Sequence, residues 1–220
     1  MPDAPSTKPR RQLFLPLPQD RLPERMARCI AGLALFGLGI SCFLTAELGV
    51  APWDVLHQGL ESRTGIPIGI VIAITGVVIL LLWIPMHERV GLATVLNAIE
   101  IGLVVYLIGD HLPHTDLLVA RGLYVLAGLL AIGAGSGFYI GAGLGSGPRD
   151  GLMLGISKRG ISVRTTRTAI ELTVLAAGIA LGGTAGVGTV AFTFGIGPTV
   201  QFFLPPLRMH GDRTVLATAH

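Results

Sequence analysis

Long apolar runs separated by short polar breaks dominate this chain. Runs near residues 28–47, 67–86, 91–110, 118–142, 164–183 and 187–206 each approach the roughly 20 apolar residues that a helix needs to cross a bilayer. The pattern predicts an all-α membrane protein with six transmembrane helices in one membrane domain, residues 28–206. Residues 1–27 are rich in proline and arginine and read as a disordered basic tail, and 207–220 as a short polar end.

Composition supports that reading. Of 220 residues, 51% are hydrophobic and 13% charged, about half the charged share of a soluble domain. Mean hydropathy is +0.69. Such a supply of charge cannot cover a globular surface, and the apolar content excludes disorder. Glycine is abundant, at 31 residues, which suits helices that pack closely in lipid. Cys29 and Cys42 lie on one predicted helix about 20 Å apart, too far for a disulfide.

The charges that remain are unevenly placed. With six crossings and a cytoplasmic N-terminus, 14 of the 16 basic residues fall in or beside cytoplasmic segments, and only Arg63 and Arg121 fall outside. This bias predicts cytoplasmic termini. Arg10-Arg11 faintly resembles a twin-arginine signal, and residues 46–51 a cleavage site. Both readings yield to an internal repeat that includes the first helix.

Shifting the chain by 96 residues lays Leu48–Gly59 over Leu144–Gly155, with six of twelve positions identical. The preceding helices agree at Gly32/Gly128, Leu33/Leu129, Gly37/Gly133, Gly39/Gly135 and Ala46/Ala142. Farther on, at an offset of 95, Thr94-Val95 matches Thr189-Val190, and Ile101-Gly102 matches Ile196-Gly197. Repeat 1 spans about 28–110 and repeat 2 about 118–206. Three crossings per repeat is an odd number, so the copies should be inverted, with a solute site between them near the midplane.

Each repeat holds a Leu-Gly-x-x-Pro-x-Asp segment after its first crossing. Gly49 and Gly145 suit the end of a helix, and Pro52 and Pro148 the first turn of the next. Asp54 and Asp150 face the positive end of that short helix's dipole. Capping alone explains every repeated residue. If the two Pro-started helices instead dip into the membrane from opposite faces, their free N–H groups meet across a pore or site; helices lying on the membrane surface are the competing reading. Asp54, His57 and Glu61 share a helix face, beside Trp53. Gly143, Gly145 and Gly147 before Arg149 offer a cradle for an anion, although topology alone also places an arginine there.

Intramembrane polar residues are costly and mark function by default. Glu100, with Asn97 one turn earlier, is expected to face the bundle interior near the Pro-started segments. Glu171 either serves a site or pairs with Arg167 at the cytoplasmic edge. Gly133, Gly137, Gly141 and Gly145 form a small-residue ridge for helix packing. The six histidines show no zinc spacing, and Ser146 lies in no nucleophile elbow, so neither a metal, a cofactor nor an enzyme is expected. Topology explains the net charge of +3, so nucleic acid is not implied.

The run Ala46–Leu56 with Gly59-Leu60, together with Glu171, Gly182-Gly183, Gly186–Val190 and Ile196-Gly197-Pro198, resembles the YczE/YitT-like bacterial membrane proteins, nearer the YczE-like branch. The sequence departs from that pattern at Leu92-Ala93-Thr94. The resemblance implies a multi-pass protein of the bacterial inner membrane. A small-solute transporter or channel, with an anion among the candidate solutes, is the first functional expectation. A non-transporting accessory protein that stabilises a membrane partner, or a homo-oligomer, is the second. Its other certain contact is the lipid bilayer.

Overall fold

The computed structural model describes residues 13–209, so the predicted roles of Lys8, Arg10, Arg11 and Arg213 lie outside the described residues. Eight α-helices follow in order: α1 (Leu22–Ala46), α2 (Pro52–Thr64), α3 (Ile68–Met86), α4 (Leu92–Ile108), α5 (Leu118–Gly141), α6 (Pro148–Ser157), α7 (Val163–Leu181) and α8 (Val187–Leu207). A short 3-10 turn follows α4. Each half of the chain therefore reads long, short, long, long, and both short helices start on the predicted proline.

Helix α1 starts at Leu22, not 28, because Pro23 fits its first turn and Arg25 is fully buried rather than solvated. The segment before it is extended, and Val90 exchanges backbone hydrogen bonds with Leu13 and Leu15, at 2.9 and 3.0 Å. These residues are part of the fold, not a disordered tail. At the other end, the Met209 amide bonds the Gly141 carbonyl and its side chain is buried.

Five helices, α1, α3, α4, α5 and α8, are long and apolar enough to cross a membrane. Helix α7 is as long as α3, at 19 residues, but Arg164, Arg167 and Glu171 crowd its first half. The outward sides of the apolar helices expose Val77, Leu81, Leu103, Leu118, Phe194 and Phe202, the face that lipid covers.

Glycines set the packing. A Cβ at Gly32 would lie 2.7 Å from the Gly135 carbonyl oxygen, and one at Gly39 2.8 Å from that of Gly128. Rising numbers on α1 meet falling numbers on α5, so this central pair is antiparallel. The ridge on α5 receives α8: Gly133 lies against Thr199, Gly137 against Phe203 and Gly141 against Leu207. Here the numbers rise together, so α5 and α8 run parallel. Packing, the role expected for the ridge, is what the structure shows for Gly133, Gly137 and Gly141, whereas Gly145 lies beyond the end of α5 and meets Gly91 instead.

The contacts between halves are reciprocal. Helix α2 packs on α7 while α6 packs on α3, and α1 holds α4 as α5 holds α8. Arg25 and Arg121, 96 residues apart in sequence, do the same job twice. Arg25 donates to the Ala142 carbonyl at 2.8 Å, and Arg121 to the Ala46 carbonyl at 2.6 Å. Each arginine thus caps the first helix of the other half, where the dipole favours a cation. The role of Arg121 in this capping accounts for its falling outside the charge bias. Arg25 also bonds Asp20 at 2.7 Å, and that hydrogen bond holds the Asp20 carboxyl below its ordinary range.

Arg25→Ala should cost about 2–4 kcal/mol, because it orphans a buried carbonyl as well as removing a charge-assisted bond. Arg121→Ala should cost less, since Arg121 keeps 23% side-chain exposure. Thermal unfolding in detergent of both variants checks the order; equal losses would contradict it.

Candidate functional site

The two Leu-Gly segments cross between halves. The Leu48 carbonyl accepts the Gly188 amide at 2.7 Å, and the Leu144 carbonyl accepts the Ala93 amide at 3.0 Å. Thr94 and Thr189 mirror one another, each hydroxyl accepting the amide three residues earlier, from Gly91 and Gly186, at 3.1 Å. Gly49 and Gly145 take left-handed backbones, with φ of +99° and +127°, which glycine adopts without strain. So anchored, the two Pro-started helices aim their first turns at the middle of the bundle.

There they line one cavity of about 360 Å³, with Ala51, Pro52, Trp53 and Asp54 from one side and Gly147, Pro148, Arg149 and Asp150 from the other. Volumes of this order hold small ligands. Asn97, Ser136, Tyr139, Arg167 and Glu171 add polar groups, while Ile132, Ile196 and Val200 are among the apolar ones.

The polar end has internal order. Arg149 lies 3.8 Å from the Asp54 carboxylate, and its guanidinium sits 5.0 Å from the Trp53 ring centroid. These two stacked residues occupy equivalent positions in the two repeats. Asp54 is 2% exposed and contacts His57 Nδ1 at 3.1 Å. Trp83 donates to the Pro148 carbonyl at 3.0 Å and holds the start of α6. Tyr139, Asp150 and Asn97 converge around Gly147, where a Cβ would lie 3.2, 3.3 and 3.5 Å from their polar atoms. The Asp150 carboxylate thus faces the last glycine of the predicted anion cradle.

Of the residues singled out in the sequence, the structure brings Pro52, Trp53, Asp54, Asn97, Pro148, Arg149, Asp150 and Glu171 to one volume. Gly49 and Gly145 stand behind them as joints. His57 is not in the cavity wall: it is fully buried behind Asp54, and its Nε2 has no partner among the described residues. Glu61 leaves that helix face to cap α3, accepting the Ile68 amide at 2.8 Å. Glu171 both pairs with Arg167, at 3.0 Å, and lines the cavity.

Glu100 departs from expectation. It is half-buried on α4, with no hydrogen bond or ion pair among the described residues, and it does not line the cavity. Its neighbour Asn97 takes the inward position, because Ile101, four residues on, continues the cavity stripe and Glu100 lies off it. Tyr139 and Ser136 went unnoticed in the sequence; their places on the small-residue face of α5 were the available signal.

The profile of the family described as "Family of unknown function (DUF6198)" matches residues 23–205. An uncharacterized protein of Haemophilus influenzae is 39% identical over 78% of this chain and 79% of its own length. The uncharacterized membrane protein YczE of Bacillus subtilis is 33% identical over 85% of this chain and 88% of its own. A third relative, the uncharacterized protein YyaS of the same organism, is 27% identical over 81% and 92%. The resemblance drawn from the Pro-Trp-Asp and glycine motifs is thus borne out. No solved structure matches the chain.

Proposed function

We propose, on the premise that the chain belongs to the DUF6198 family and is a multi-pass membrane protein, that it is a small-solute carrier or channel. Its site is the cavity between two inverted repeats. The observation that carries this reading is the convergence of both Pro-started first turns on one polar volume inside an apolar bundle. Buried charges in such a place are costly, and they persist where they line a path or a site. Nothing in this reading calls for catalysis or a cofactor.

The inversion rests on two directions. Helices α1 and α5 hold equivalent places in sequence yet run antiparallel, which supports a two-fold axis across the helices, in the membrane plane. Helices α5 and α8 run parallel, which supports a recrossing between them, and in this reading α7 makes it. Helix α7 becomes the sixth crossing, with Arg164 and Arg167 at its cytoplasmic end. The inner membrane and cytoplasmic termini follow from the charge bias. A reporter fused after residue 209 should read as cytoplasmic; an external reading would leave five crossings and sink the inversion.

Solute flux in proteoliposomes tests the function itself. Asn97→Ala should change flux, whereas Glu100→Gln should leave it as it is, since only Asn97 touches the cavity. Flux lost in Glu100→Gln but kept in Asn97→Ala would misplace the site. Absence of all flux, with co-purification of a single membrane protein, would turn the reading to an accessory role.

A further inference from the structure

The two halves differ at one place. In the first, α3 closes on α4: Gly69 packs against Gly102, and Gly76 lies against Ala98. In the second, α7 and α8 make no comparable contact and stay apart over most of their length. The sequence explains the difference. Helices α3 and α7 correspond at an offset of 95, Ile68 over Val163, so Arg164 and Glu171 stand where Gly69 and Gly76 stand, and α7 lacks the small surface that lets its partner approach. Gly197, the counterpart of Gly102, has nothing within 4 Å of where its Cβ would be. Both rims of this opening reach the cavity, through Arg167 and Glu171 on one side and Ile196, Gly197 and Gln201 on the other. The opening faces the direction in which α8 exposes Phe194 and Phe202 and α7 exposes Leu172, the side of lipid.

The cavity's charges point to what fits. Asp54, Asp150 and Glu171 bring three carboxylates, and Arg149 and Arg167 two guanidiniums. A bare anion meets the carboxylates and a bare cation the guanidiniums; a head bearing both signs satisfies both. Guanidinium forks suit phosphate oxygens, and carboxylates beside Trp53 and Tyr139 suit an ammonium. Toward the opening the wall turns apolar at Ile196 and Val200.

We propose that this cavity takes a membrane amphiphile with an ammonium–phosphate zwitterionic head, which enters sideways from the bilayer between α7 and α8. The inference deepens the carrier reading and rests on it for the site. Charge complementarity selects the head, and the unclosed helix pair selects a lipid route over an aqueous one.

Intrinsic fluorescence can test it, because the chain has two tryptophans and only Trp53 lines the cavity. The full chain in maltoside detergent is titrated with phosphatidylethanolamine brominated near the glycerol end of one acyl chain. Expected is saturable quenching that disappears in Trp53→Phe and that unbrominated phosphatidylethanolamine reverses. Brominated phosphatidylglycerol should bind about tenfold more weakly or worse, and glycerophosphoethanolamine, the water-soluble head, should not compete. Gly197→Phe directs a ring into the opening from a position where a Cβ has nothing within 4 Å. It should weaken binding about tenfold at an unchanged thermal midpoint, and Leu172→Phe on the other helix serves as second variant. Unsaturable quenching, equal binding of phosphatidylglycerol, full competition by the water-soluble head, or undiminished binding in both variants would each overturn the proposal. Flux of a water-soluble solute without amphiphile binding would overturn it while leaving the carrier reading in place. Amphiphile binding without any transbilayer movement would uphold the occupant and remove the carrier.

Discussion

Gly49→Ala should cost several kcal/mol and leave little folded protein. Two separate penalties fall on that methyl. The backbone at Gly49 has φ +99°, where an L-residue carries about 1–3 kcal/mol of strain. The new Cβ would also fall on the backbone nitrogen of Gly186 and lie 2.7 Å from Thr189 Oγ1. Neither atom can yield, since that amide and hydroxyl bond each other at 3.1 Å; overpacking adds about 1–3 kcal/mol more. Gly145→Ala should follow closely, with φ +127° and a Cβ 2.8 Å from the Gly91 Cα. Gly65→Ala separates the two penalties: it has φ +72° but nothing within 4 Å, so only strain remains. Thermal midpoints in detergent should fall in the order Gly65, Gly145, Gly49, with a small loss at the first. Equal losses at all three would mean that strain, not the crossing between halves, sets the cost.

Much of this was legible in the sequence, for one reason: duplication makes a weak local signal visible twice. Pro52 and Pro148 open helices in both halves, as their first-turn preference requires. The Leu-Gly pairs mark real joints for the same reason, and a span of apolar residues is a strong prior for a membrane helix. What stayed hidden is what repeats do to each other. Arg25 and Arg121 align at the same offset as the motifs, yet only the antiparallel docking of α1 on α5 reveals that each caps the other's helix. Glu100 was misread because cost per residue says that a carboxylate must leave lipid but not toward which neighbour; it lies off the cavity stripe that Asn97 and Ile101 share. The opening between α7 and α8 was also written in the chain, as the loss of Gly69 and Gly76 equivalents, but a missing glycine carries meaning only once its partner helix is known.

Arg149→Gln should both destabilise the fold and stop solute movement, and a second substitution should separate the two effects. Asp54 is 2% exposed, and Arg149, at 3.8 Å, brings it a positive charge. Removing that charge leaves a buried carboxylate uncompensated, a change that costs about 3–5 kcal/mol where burial is complete. Arg149 keeps 28% side-chain exposure toward the cavity, so water there offsets part of the loss and about 2–3 kcal/mol is expected. Asp54→Asn alone should cost less, because the amide still reaches His57 and Arg149 can be solvated by the cavity. In the double variant the unpaired charge is gone, so stability should recover by about 1–2 kcal/mol relative to Arg149→Gln. Flux should not recover, because one charge of each sign is then missing from the cavity wall; a loss of about tenfold or more is expected in the double variant. Stability and flux recovering together would show that the pair only holds the fold. Stability that fails to recover while each single variant retains full flux would show that the pair neither couples nor faces the path.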